Sequence, residues 1–260
     1  MKKLQLGHLV TPSPWPILSA VSLLMGTFSF IILFHKKSNY GTFMFLLIAL
    51  VVFFSWSKDI FTESSLEGEH SKKVSSTLKI GMILFIVSEI FLFISMFWAF
   101  FHSSMSPSME IGLSWPPYHI HPFNYSEIPM LNTIILVSSG ATLTLSHHQL
   151  LMKELNNSSL FLMITVMLGL MFTSIQMIEY VEAKFSINDS VFGSSFFMAT
   201  GLHGAHVMVG SSFLSVVVWQ MIFMKSMTHQ FISFEMAAWY WHFVDVVWLF
   251  LLMSIYWWGS

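Results

Sequence analysis

Hydrophobic residues in this chain run in long blocks, and the charges collect between the blocks. A hydrocarbon core of about 30 Å takes roughly 20 helical residues to cross, so blocks of that length predict membrane spans. Seven occur, at 16–34, 40–57, 80–101, 128–152, 160–178, 191–224 and 236–258. Pro12, Pro14, Pro16 and Trp15 mark the start of the first, since proline is tolerated at a helix start and Trp favours the membrane interface. The stretch from Lys58 to Lys79 is the most charged of the chain and reads as a loop flanked by helix ends. Four prolines between His102 and Glu127 exclude a helix through that segment. The fourth block is unusually polar (Asn132, Thr133, Ser138, Ser139, Thr142, Thr144), which suits close helix packing. The sixth, about 51 Å long if helical, is short for two spans and a turn, and reads as one long helix. The chain is expected to be a single all-α membrane domain over 1–260, closed by an aromatic belt at Tyr256, Trp257 and Trp258.

Seven spans put the termini on opposite sides. Lys2, Lys3, Lys58, Lys72, Lys73, Lys79, Lys153 and Lys225 fall on the N-terminal side, and only Lys36, Lys37 and Lys184 on the other. The positive-inside rule therefore places the N-terminus inside and the C-terminus outside.

Composition narrows the chemistry. Only 9% of residues are charged, against about 25% in a soluble domain. The absence of Cys excludes disulfides, thiolate metal ligands and cysteine nucleophiles. All 11 cationic side chains are Lys, and the net charge is −2, so no nucleic-acid surface is present. The first residues hold no apolar core or small-residue cleavage site of a removable targeting peptide. Nucleophile elbows, P-loops, GxGxxG turns and HExxH are also absent.

Polar groups inside the spans are the informative ones. Glu89 lies at the centre of the third, where a carboxylate costs about 2.5–3.5 kcal/mol on insertion scales. It is either a proton-handling or lipid-pocket carboxylate, or a packing acid bonded to Ser88 or a neighbouring helix. His242 and Asp245, three apart in the last span, share a face, and either relay protons or form a satisfied polar pair. His147, His148, His203 and His206 permit a b-type haem but do not converge as a zinc or copper site would require, and they read as structural. A small secondary transporter would carry broken helices or an inverted repeat, and neither is evident.

Six strings occur in order: TPSPWP (11–16), GMILFIVSEIFLFISMFWAFFHSS (81–104), WPPYHIHPFN (115–124), LSHHQL (145–150), ATGLHGAHV (199–207) and AAWYWHFVDVVWLFLLMSIYWWGS (237–260). Together they resemble the family of subunit III of the mitochondrial aa3-type cytochrome c oxidase. The resemblance implies helices 1–2 and 3–7 in two bundles around a lipid-filled cleft, in the inner membrane, with the N-terminus in the matrix and the C-terminus in the intermembrane space. It also implies a chain with no catalytic or redox centre of its own. Haem a, haem a3 and copper would belong to subunits I and II, further small subunits would be present, and cytochrome c would dock on the complex elsewhere. The subunit would hold subunit I, bind phospholipid and support proton uptake, with Glu89 facing the cleft. His147, His148, His203, His206, His242 and Asp245 would be structural, and no metal would be bound. The family's WWRDxxRE headgroup motif is Trp56 to Glu63 here. Lys58 replaces one of its cations, and Thr62 does not replace the other. Trp219 stands where an Arg is common. Trp56, Lys58, Glu63, His70 and Glu89 are the residues expected to meet lipid.

Overall fold

The computed structural model describes residues 12–65, 70–224 and 232–259. Among them seven helices are long and apolar enough to cross a bilayer, which makes the chain a multi-pass membrane protein. They are α1 (Trp15–Lys36), α2 (Tyr40–Ser65), α3 (Lys72–Met105), α4 (Ile128–Leu151), α5 (Leu155–Glu182), α6 (Val191–Met224) and α7 (Ile232–Leu251). A π-helical turn, Leu252–Trp257, continues α7. Lys2, Lys3 and Lys225 lie outside the described residues.

The helices outrun the apolar blocks. α2 continues through Lys58 and Asp59 to Ser65, and α3 starts at Lys72, so the charged stretch expected as a loop is helical at both ends. Neither flank holds Pro or Gly, and beyond the hydrocarbon a charged side chain reaches water from a helical turn. α5 likewise runs four residues past its apolar block, to Glu182. Pro107 follows shortly after α3 ends at Met105, as expected where the residue before proline leaves helical geometry.

The chain divides into two compact units, Met1–Leu78 and Lys79–Ser260. In the first, α1 buries only Ser22, Gly26 and Ser29. A methyl group on Gly26 would stand 2.8 Å from the Phe45 ring, and one on Gly41 would stand 3.0 Å from Ser29 Cβ. Small residues thus let α1 and α2 approach closely, which is how helices gain dispersion energy when lipid tails are as apolar as the side chains. Trp15 Nε1 donates a hydrogen bond to Asp59 Oδ2, joining the start of α1 to the end of α2.

The second unit is organised by α7. Trp241 and Trp248 are fully buried. Trp241 lies where a methyl group on Gly169 of α5 or Gly210 of α6 would come within 2.5 and 2.9 Å of its ring, and its Nε1 donates to Ser139 Oγ of α4 at 2.9 Å. Trp248 donates to Thr133 Oγ1 at 3.0 Å and sets its ring edge-on to Phe172, with centroids 4.8 Å apart. The polar face of α4 also meets α5, through Thr142 and Thr165 at 2.8 Å and through Ser146 and Ser158, each of whose hydroxyls donates to the other's carbonyl. Each bond satisfies a group that hydrocarbon would leave bare.

Candidate functional site

Glu89 lies midway along α3 and His206 midway along α6, so the two reach the same depth. His206 Nε2 and Glu89 Oε2 are 2.8 Å apart. Ser88, the local alternative partner, instead donates to Phe85 O at 2.7 Å. His206 Nδ1 lies 2.7 Å from Leu202 O. A carbonyl oxygen only accepts, so Nδ1 carries its proton, and the 2.8 Å contact requires one further proton between Nε2 and Oε2. The pair is then either imidazolium and carboxylate, or imidazole and carboxylic acid, and one proton transfer separates the two states.

Aromatic rings surround the imidazole. Phe93 is edge-on at 5.2 Å, Tyr240 is stacked at 6.2 Å, and Phe243 is edge-on at 6.3 Å. These rings exclude water from most of the pair and hold the His206 ring in orientation. The two side chains keep 12% and 18% of their surface exposed.

The other histidines divide by surroundings. His203 is fully buried, with Nε2 3.2 Å from Val244 O and its ring edge-on to Phe172. His147 stacks on Phe234, and His148 is exposed at the end of α4. His242 Nδ1 lies 3.8 Å from Asp245 Oδ2, too long for a hydrogen bond. Among the described residues no three His, Asp or Glu side chains are grouped to hold a metal ion.

Of the residues expected to meet lipid, Trp56, Lys58 and Glu63 lie on the last turns of α2, and His70 lies just before α3. Trp56 and Glu63, seven apart, share a face that Lys58 does not. Trp56 and Lys58 are exposed, whereas Glu63 and His70 are half-buried.

Sequence reasoning missed two groups. The first is the partnership of His206 with Glu89, for which matched depth was the signal available. Glu179 was missed because its apolar block ends at 178, yet it is fully buried and accepts a hydrogen bond from Tyr256 at 2.7 Å. Tyr256 therefore turns inward and does not join the expected aromatic belt, while Trp257 and Trp258 stay exposed. Gln176, one turn before Glu179, accepts from Asn132 of α4 at 3.3 Å.

Residues 6–260 match the family described as Cytochrome c oxidase subunit III. The chain is 50% identical to the protein named Cytochrome c oxidase subunit 3 of Struthio camelus, over 97% of each chain. It is also 50% identical to the protein of that name from Rhipicephalus sanguineus, over 96% of this chain and 98% of the relative. Identity to its namesake from Myxine glutinosa is 47%, over 100% of this chain and 99% of the relative.

Proposed function

Because the chain belongs to the cytochrome c oxidase subunit III family, we propose that it is the non-redox third subunit of a mitochondrial inner-membrane oxidase and supplies that complex with a proton-exchanging pair, Glu89 and His206. The complex oxidises cytochrome c, reduces O2 to water and pumps protons. In this reading subunits I and II carry haem a, haem a3 and copper, further small subunits complete the complex, and this chain steadies subunit I. The N-terminus faces the matrix and the C-terminus the intermembrane space. Trp56, Lys58, Glu63 and His70 meet phospholipid headgroups at the matrix end of the chain, and Glu89 meets lipid within the bilayer.

The observation that carries the proton-handling role is the 2.8 Å contact between Glu89 and His206. A carboxyl buried as packing alone would need only a hydroxyl or amide partner. An imidazole partner instead gives two states of the same composition that differ only in which side holds the shared proton, so a proton can cross the contact with no change in the net charge of the pair.

Purification in mild detergent tests the reading. Subunits I and II should accompany the chain, with the visible spectrum of haem a and with phospholipid detectable by mass spectrometry. Haem bound in stoichiometric amount to the isolated chain would contradict it, as would transport by that chain in liposomes.

A further inference from the structure

His242 and Asp245 stand apart from the Glu89 pair and from the internal bonds that tie α7 to its neighbours. Both lie midway along the last span, and Gly140 lies midway along α4. Hydrogen bonds from Trp241 to Ser139 and from Trp248 to Thr133 fix α4 and α7 as antiparallel neighbours at this depth. Gly140 has no side chain to cover α7 here, and a methyl group in its place would stand 2.8 Å from Asp245 Oδ2 and 3.9 Å from His242 Nδ1. The Asp245 carboxyl is largely enclosed, at 14% exposure, while the His242 imidazole in front of it is 44% exposed. Its Nδ1 lies 3.8 Å from Asp245 Oδ2. Val246 and Leu249 continue the same face of α7, and Val137 and Ala141 flank Gly140 on α4.

An imidazole nearly half exposed at mid-bilayer depth is a cost that acyl chains cannot relieve, because they carry no hydrogen-bonding group. Headgroups lie too far away, at the bilayer surfaces. The remaining source of a partner at that depth is another helix. The surrounding surface fits one, with short side chains at Ala141 and Val246, which permit close approach.

We infer that the α4–α7 face centred on Gly140, His242 and Asp245 docks a transmembrane helix of a partner subunit, whose hydrogen-bonding side chain meets His242 at the middle of the bilayer. This rests on the reading of the chain as a subunit of a multi-subunit complex.

The chain contains no cysteine, so single cysteines placed by Ala141→Cys and Val246→Cys can each carry a photoreactive probe in the otherwise unaltered complex. Met167→Cys on α5, an exposed position in another helix, is the control. Recovery of haem a with the chain is checked first, and its absence sinks the subunit reading itself. With the complex intact, illumination should capture the same transmembrane segment of another subunit from positions 141 and 246, and not from 167. Capture of lipid alone, or of this chain's own α1 or α2, overturns the docking surface. Retention of the captured subunit during detergent titration gives a second measurement. His242→Phe, similar in bulk but without a hydrogen-bonding nitrogen, should release it at lower detergent, and His242→Gln should restore part of the loss. Retention unchanged in His242→Phe would equally overturn the inference.

Discussion

The two units of this chain are held together by different means. In the second, side chains bond across helices, and 44% of the most apolar stretch of α4 and 50% of that of α7 is buried, although that of α3 is only 6% buried. In the first, the equivalent figures are 17% for α1 and 6% for α2, and what is buried on α1 is two serines and a glycine. Lipid offers no hydrophobic drive for helices to associate, so a bundle needs either interhelical hydrogen bonds or close backbone approach. The second unit uses both. The first relies on close approach along its length, with the bond from Trp15 to Asp59 at its end. A pair built this way has most of its surface free for other molecules, which accords with the proposed lipid contacts of α2.

The comparison can be broken most forcefully at Trp241. Trp241→Ala removes the ring seated over Gly169 and Gly210 and the indole donor to Ser139 Oγ, so it should cost about 3–5 kcal/mol. Thermal unfolding of the purified complex should report a lowered Tm for the second unit. A smaller effect is expected from Gly26→Val in the first unit. Its added methyl groups meet the Phe45 ring, which can shift, so the cost should stay near the lower end of about 1–3 kcal/mol. Spectra of the second unit should not change, while proteolysis between α1 and α2 should quicken. Smaller again is the coupling between Trp248 and Thr133. A double-mutant cycle with Trp248→Phe and Thr133→Val should give about 0.6 kcal/mol, and no more than about 1.7 kcal/mol.

The smallest effect lies outside the bilayer. Asp189, between α5 and α6, is held below its ordinary 3.8 because the Ser186 backbone N–H donates to Oδ2 at 2.7 Å and the Ser186 hydroxyl donates to Oδ1 at 2.9 Å. A carboxyl with a depressed folded pKa contributes stability above its unfolded value and loses it as pH falls through the folded one. Protection of the Ser186 amide from hydrogen exchange should therefore persist at neutral pH and disappear below about pH 3.8, the window set by that shift. Asp189→Asn, which does not titrate, should flatten the change.

Much of the architecture was legible in the sequence because the bilayer imposes a length on every apolar block. Seven helices, and the position of Glu89 at the centre of one, follow from that length alone. Helix ends did not follow, since hydropathy reports where the hydrocarbon stops and not where hydrogen bonding stops. This is how α2 ran on through Lys58 and how Glu179 escaped notice. Partnerships were harder still. Glu89 and His206 are 117 positions apart, and no periodicity within α3 or α6 tells which helix lies beside which. Tyr256 read as an interfacial aromatic because its neighbours are interfacial, and only the π-helical turn brings its hydroxyl to Glu179.

The central claim is that Glu89 and His206 act as one proton-exchanging unit. Proton uptake and activity of the purified complex, followed against pH over many turnovers, test it in four forms: wild type, Glu89→Gln, His206→Gln and the double variant. All four should assemble with their redox centres intact, because no proposed haem or copper ligand is touched. Each single variant should show a deficit that widens as pH rises and proton supply falls. The double variant should be no worse than either, as residues acting as a unit require. Four superimposable curves would contradict the claim, and so would deficits that simply add.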